Sequence, residues 1–342
     1  MTDDEVSSLI EAAKEKVRPA WERLYELEAA NHGRVLRAFQ ECRVRSFHLQ
    51  SGTGYGYDDP AREIMEEVFA AVFQCEAAIV RPQLASGTHA LWVCLDALLG
   101  PGDHLIAVSG PPYDTLRNAI TGGSAHSLRR KGVTYSEVPL TSEGELDFAG
   151  LQQALTPNTR ILFLQRSKGY MWRPGLGAEA IRALAAWRDE KAPWAIVMID
   201  NCYGEFVEPL EPGAAGADLI AGSLIKNPGG TLAPGGGYIA GRRDLIDVIA
   251  DRVTAPGLGL HVGPTLGTAR HILQGLYLAP HLVAEALAGL ALASYVFEEL
   301  GYEVTPRWSD PPRDSVLAVR LGSPELLLEF CRSIQAASPV DS

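Results

Sequence analysis

The sequence predicts an α/β fold: a mostly parallel sheet flanked by helices, followed by a smaller α/β unit. Three observations carry that expectation. Short apolar runs alternate with helical stretches between residues 77 and 199. Two further runs, 219–221 and 237–240, flank a loop dense in glycine and proline and read as a hairpin carrying a site. Finally, 342 residues, 46% hydrophobic and 21% charged, suffice for a full core in two domains or in one large domain with an appendage.

From residue 6 to 30, Ile10, Val17, Trp21, Leu24 and Leu27 recur at helical spacing, and a second short helix is expected over 33–42. Together they make an N-terminal helical arm, 1–50. Ser51-Gly-Thr-Gly-Tyr-Gly-Tyr-Asp-Asp-Pro60 is too rich in glycine for a regular element and reads as an ordered loop, with a helix over 61–73 after it. Strand-like runs at 77–80, 104–108, 133–138, 160–164 and 194–199 then interleave with helical stretches at 88–98, 113–121, 147–155 and 178–189. The large domain so described spans 51–265. Beyond it a long helical region, 266–300, is interrupted at Ala279-Pro280, and strands at 303–305 and 315–321 with a helix at 324–336 suggest a small domain, 266–342. That unit shows only two strands before Ser338-Pro-Val-Asp-Ser342 and is expected to be incomplete.

Composition narrows the function classes. Lys+Arg 30 against Asp+Glu 42 gives a net charge of −12, and the longest basic run is Arg129-Arg130-Lys131. Nucleic acids and anionic membrane surfaces reward clustered basic side chains, so neither is an expected partner. The five cysteines, Cys42, Cys75, Cys94, Cys202 and Cys331, are widely separated and form no CxxC. Neither a disulfide framework nor a zinc site is indicated, and a reducing compartment fits. The acidic start Met1-Thr-Asp-Asp-Glu lacks the basic and apolar regions of a signal peptide, and no uninterrupted apolar run approaches the ~18–20 residues of a span. A cytoplasmic location is expected.

Only six of the basic residues are lysines, and Lys226 stands out. In Ser223-Leu-Ile-Lys226-Asn-Pro-Gly-Gly230 it follows a buried strand among small residues, where desolvation is expected to lower the amine's pKa toward the neutral form that attacks aldehydes. The bland alternative is a lysine snorkelling from a strand end. Asp200 ends the hydrophobic run Ile196-Val-Met-Ile-Asp200, where open α/β sheets place ligand-binding side chains, and it could hold a pyridinium nitrogen protonated or merely cap a turn. Ser86, Gly87 and Thr88 lie between a strand and a helix, a place that suits an anion or a simple N-cap. Tyr113 follows the next strand and could stack on a flat cofactor or pack.

The order of these features, a phosphate-type turn, an aromatic, a strand-end Asp and then Ser-x-x-Lys with a glycine-rich tail, is that of the fold-type I enzymes dependent on pyridoxal 5'-phosphate (PLP). More narrowly, the 51–59 segment, Arg81-Pro-Gln-Leu-Ala-Ser-Gly-Thr-His-Ala90, Gln165-Arg-Ser-Lys-Gly-Tyr170, Asp200-Asn-Cys-Tyr-Gly-Glu-Phe206 and 223–241 resemble the methionine γ-lyase-like, aluminium-resistance group of Cys/Met-metabolism enzymes. The resemblance spans nearly the whole chain. It implies that Lys226 anchors PLP as a Schiff base and then acts as general base, that Asp200 pairs with the pyridinium nitrogen, and that Tyr113 stacks on the ring. It also implies that Ser86, Gly87, Thr88 and Ser223 bind the phosphate, with Tyr57 and Arg62 reaching it from a neighbouring subunit. Arg166 and Arg173 are the candidates for a substrate carboxylate.

The expected activity is a β- or γ-elimination on a small, sulfur-containing amino acid by a homodimer or homotetramer with shared sites. Transamination or aldol cleavage would use the same residues, and a non-catalytic binding subunit is a further alternative, since fold alone does not fix activity. Ser223-x-x-Lys226 also fits the Ser-x-x-Lys of penicillin-recognising acyl transferases, but neither Ser-Asp-Asn nor Lys-Thr-Gly follows. No HExxH or Walker A pattern occurs, and Gly52-x-Gly54-x-Gly56 has the wrong spacing for a dinucleotide fingerprint.

Overall fold

In the computed structural model, which describes residues 2–50 and 52–340, helix α1 (Asp3–Glu41) is one continuous rod. Met1, Ser51 at the head of the glycine-rich segment, and Asp341 and Ser342 at the end of the expected small unit lie outside the described residues. No break occurs between residues 30 and 33, because Asn31 is buried and its side-chain amide donates to the carbonyl of Phe206 at 2.7 Å, while the His32 ring meets Tyr277 edge-on. With its amide N–H taken up by that carbonyl, Asn31 sits inside the helix rather than ending it.

The large unit runs α2 (Pro60–Val72), β1 (Ala77–Arg81), α3 (Gly87–Leu98), β2 (His104–Ala107), α4 (Asp114–Thr121), β3 (Thr134–Glu137), α5 (Phe148–Ala154), β4 (Thr159–Gln165), α6 (Ala178–Lys191), β5 (Ile196–Asp200), β6 (Leu219–Ser223), β7 (Gly237–Gly241) and α7 (Arg243–Val253). Its seven strands form one sheet in the order β1-β7-β6-β5-β4-β2-β3. Neighbours from β6 through β3 pair parallel, and β7 runs antiparallel to both β1 and β6. The expected hairpin is therefore real, and the fold class predicted from the alternation holds.

Side chains alternate across the strands, so the core divides into two layers. Val80, Ile106, Val108, Leu162, Leu164, Val197 and Ile199 pack on one face with α2 and the long helices, whereas Ile79, Leu105, Ile161, Phe163, Ile196 and Met198 pack on the other with α3, α4 and α7. Both faces being covered, the central strands read as unbroken apolar runs rather than polar alternations.

Helix α8 (Ala269–Glu299) continues through Pro280, which is buried within it, and the interruption expected there does not occur. Its apolar stripe lies along α1, where Trp21 Nε1 donates to the carbonyl of Ala288 at 3.0 Å. That contact, not local propensity, carries the helix past the missing N–H. By length and composition α8 is apolar enough to cross a bilayer, a feature the search for uninterrupted runs did not reveal. Beyond it, β8 (Glu303–Thr305) and β9 (Ala318–Arg320) form a two-stranded antiparallel ladder, and α9 (Pro324–Ala337) buries none of its residues. Strand β9 is shorter than the expected 315–321 because the Ser315 N–H and the Val316 carbonyl bond to the large unit instead of to β8.

Candidate active site

The carboxyl ends of β4, β5 and β6 and the N-terminus of α3 converge on one cavity of 330 Å³. It is lined by the sequence-predicted Ser86, Gly87, Thr88, Tyr113, Asp200, Ser223 and Lys226, together with Gln165, Ser167, Gly169, Tyr170, Cys202, Tyr203, Ile225 and Val316. This is the position at which open α/β sheets bind ligands.

Helix α3 begins at Ser86, whose hydroxyl accepts the His89 N–H at 3.1 Å, so the residue is an N-cap and a cavity wall at once. Gly87 is required by close approach: a Cβ there would lie 2.9 Å from Ser223 Cβ and 3.3 Å from Cys202 Sγ. The helix N-terminus is thereby pressed against the end of β6, and its free N–H groups face the same space as the Ser223 and Thr88 hydroxyls. Tyr113 donates its hydroxyl to Thr88 Oγ1 at 2.9 Å, and its backbone N–H donates to Gln165 Oε1 at 2.9 Å. Burial, with the Asp200 charge second, pushes the Tyr113 phenol upward, so it is a neutral donor.

Asp200 is 2% exposed and accepts the Cys202 N–H at 3.1 Å. Burial raises its pKa and the Lys226 charge opposes that rise. Lys226 Nζ stands 3.9 Å from the centroid of the Tyr203 ring. The expected lowering of its pKa is corrected by the structure: burial does act downward, but Cys202, Tyr203, Asp200 and Glu205 together outweigh it and the net shift is upward. Glu205, fully buried behind Lys226, accepts the Tyr238 hydroxyl at 2.8 Å, and burial pushes its carboxyl up to about 8.

The arginines and Tyr57 are not brought to the cavity. Arg166 is fully buried and donates to the carbonyls of Leu176 at 3.1 Å and Gly204 at 2.7 Å, to Asn201 Oδ1 at 2.9 Å and to Glu208. Arg173 donates to the carbonyls of Pro174, Gln165 and Ser167, beneath the turn that follows β4, and burial pulls its guanidinium down to about 10. Arg62 is 1% exposed and binds the carbonyls of Gly56, Gly263 and His261, which pins the glycine-rich loop to the 261–263 segment. That loop carries Tyr57 outward, 60% exposed, its ring 6.1 Å from that of Tyr55.

Sequence reasoning missed Tyr203, Gln165 and Glu205. All three lie inside motifs that were singled out, but nothing in a motif says which side chain turns inward. The donor set has a consistent chemistry: an amine for an aldehyde carbon, a buried carboxylate for a ring nitrogen, an aromatic beside them, and a helix N-terminus with three hydroxyls for a phosphate.

The chain as a whole can be placed among known proteins. A carbon-sulfur lyase involved in aluminium resistance from Clostridium novyi NT superposes with a TM-score of 0.96 at 39% identity, covering 99% of this chain and 82% of that one. The YnbB protein of Bacillus subtilis, uncharacterized, is 41% identical over 320 residues, 93% of this chain and 76% of its own. CalE6, a methionine gamma lyase from Micromonospora echinospora, shares the fold at 21% identity with a TM-score of 0.60, covering 82% of this chain and 76% of that one. The methionine gamma-lyase family model matches residues 6–342, from the first turns of α1 past the end of α9, and the chain belongs to that family.

Proposed function

We propose that the chain is a PLP-dependent carbon–sulfur lyase that eliminates a thiol or thioether group from a small amino acid. The observation that carries this reading is that the Lys226 amine and the buried Asp200 carboxylate face one cavity closed at its far side by the N-terminus of α3. PLP, when bound, supplies the electron sink that makes an α-proton removable. The protein's own residues do the rest. Ser86, Gly87, Thr88 and Ser223 would hold a phosphate, Asp200 would keep a ring nitrogen protonated, and Tyr113 would stack on the ring. Lys226 Nζ would anchor the aldehyde carbon and would serve as the base that moves the proton at the substrate α-carbon.

Three features support a cytoplasmic homo-oligomer with shared sites as part of the same proposal: the free thiols, the net charge of −12 and the exposed Tyr57. The reading is tested by the near-visible spectrum of purified protein with PLP, before and after borohydride, and by peptide mapping of the reduced adduct. A yellow protein trapped at Lys226, releasing thiol and a 2-oxo acid from S-substituted cysteine or homocysteine, supports it. A colourless protein that takes up no PLP overturns it in favour of a non-catalytic binding subunit.

A further inference from the structure

The Gln165-Arg-Ser-Lys-Gly-Tyr170 motif contains a buried lysine that the chemistry above does not use. Lys168 is 1% exposed. Its Nζ donates to the carbonyls of Thr305 and Val316, each at 3.0 Å, and lies 3.6 Å from Asp314 Oδ1, while its backbone N–H donates to Asp314 Oδ2 at 2.9 Å. Every one of these partners belongs to the C-terminal unit. Burying an ammonium is expensive unless it is paired and its hydrogens are taken up, and here all of that compensation comes from one short segment. Burial lowers the amine's pKa and the Asp314 charge holds it up.

The turn that carries Lys168 has two sides. On one side Ser167, Gly169 and Tyr170 line the cavity of Lys226; on the other, Lys168 itself lines a cleft of 550 Å³ between the large unit and the C-terminal unit. The segment it grips also has two sides. Val316, whose carbonyl accepts from Lys168, lines the Lys226 cavity. Next to it, the Ser315 N–H donates to the Tyr203 carbonyl at 2.9 Å and the Ser315 hydroxyl to Asn227 Oδ1 at 3.2 Å. Three consecutive residues, 314 to 316, therefore touch the turn after β4, the turn after β5 and the residue beside Lys226.

We propose that Lys168 is a positioning residue for the substrate side of the site: through Asp314 and the Val316 carbonyl it fixes the wall of the cavity that the C-terminal unit supplies. It touches neither cofactor nor substrate, and none of the cofactor-holding groups named above bonds to it. The inference rests on the proposed function for the meaning of that cavity. Its signature is a divided effect, in which cofactor binding is kept and amino-acid binding is lost.

The test uses the PLP-loaded protein with S-methyl-L-cysteine as probe. Three variants are compared with wild type: Lys168→Met, Asp314→Asn, and the double variant Lys168→Met with Asp314→Leu, which removes the unpaired charge and keeps a packed junction if either single variant fails to fold. The expected result is a KM raised by about tenfold or more with kcat changed less than about threefold, while the PLP dissociation constant stays within about twofold. A folded variant with unchanged KM overturns the role of Lys168, and so does one that loses PLP and substrate affinity together, since that reports general collapse. Failure of wild type to form a borohydride-stable adduct at Lys226 is a separate outcome and overturns the function beneath the proposal.

Discussion

Lys226 Nζ and the Tyr203 ring are 3.9 Å apart, and the ring is held there by left-handed backbone at Tyr203 itself, φ 67°. A non-glycine residue in that region is strained, and strain of this kind gathers at functional sites. The ring face and the acidic groups around it stabilise the ammonium form. Replacing Tyr203 with leucine removes the cation–π contact, about 0.5–2 kcal/mol, and should lower the Lys226 pKa. Tyr203→Phe keeps the face and should leave it nearly unchanged. The pH dependence of reductive methylation at Lys226, followed by mass spectrometry, separates the two, and equal shifts in both variants would remove the ring from the account.

Glu205 makes the chain's stability depend on pH. Its folded pKa, about 8, lies above the ordinary carboxylate value because of burial. A raised acid contributes stability that is fully present below the unfolded pKa and is lost as pH rises through the folded one. Glu205→Gln removes that dependence: Gln can accept from Tyr238 as Glu205 Oε1 does, and its amide nitrogen takes the place of Oε2, so any cost of the substitution is the same at every pH. Between pH 5 and pH 8 the wild type should lose melting temperature relative to the variant. Parallel curves across that range would count against a protonated Glu205.

Gly87→Ala tests the seat of the phosphate. The added Cβ would meet Ser223 Cβ at 2.9 Å and Cys202 Sγ at 3.3 Å, so α3 must move away from β6. Overpacking of this size costs about 1–3 kcal/mol, and a shift that parts the two halves of the phosphate site should weaken PLP at least about tenfold. Titration of the apoprotein with PLP, followed by absorbance, measures it. Undiminished affinity would mean that the helix N-terminus is not the anchor.

Arg166→Met should act on folding. The guanidinium serves two carbonyls, Asn201 and Glu208 with none of its surface exposed, so its loss leaves buried acceptors without donors. A cost of about 3–5 kcal/mol is expected, seen as a lower denaturant midpoint. Were stability to stay level and only KM for the amino acid to rise, Arg166 would be the carboxylate ligand after all.

What was legible in the sequence follows from what each signal depends on. The central strands were readable because burial on both faces leaves mostly apolar residues in them, and Asp200 and Lys226 because each breaks such a run at its end. The reach of Arg62, Arg166 and Arg173 was not readable. Their side chains are long enough to face either cavity or interior, and only packing decides. The breaks placed near residue 30 and at Pro280 were misread for a related reason: α1 and α8 stabilise each other across 267 residues of sequence, as the bond from Trp21 to Ala288 shows, and local propensity does not register that. Lys168 escaped notice because its partners lie 137 to 148 residues away.

The last prediction concerns how sites are shared. Tyr57 stands 60% exposed on a loop pinned by Arg62, outside the cavity of its own chain, which suits a hydroxyl offered to a neighbour. If it completes the phosphate site across a two-fold axis, Lys226→Ala and Tyr57→Ala should each be inactive in elimination, by different defects in one composite site. Mixed and reassociated, they form hybrid dimers in which one site takes Lys226 from the second chain and Tyr57 from the first. That site is whole, and the other carries both defects. Random reassortment restores about one quarter of the sites. Activity should therefore reappear on mixing toward that level, measured as thiol release against a wild-type control taken through the same dissociation. A mixture as inactive as its components would show that each chain works with its own residues alone, and Tyr57 would then be a surface aromatic with no part in the chemistry.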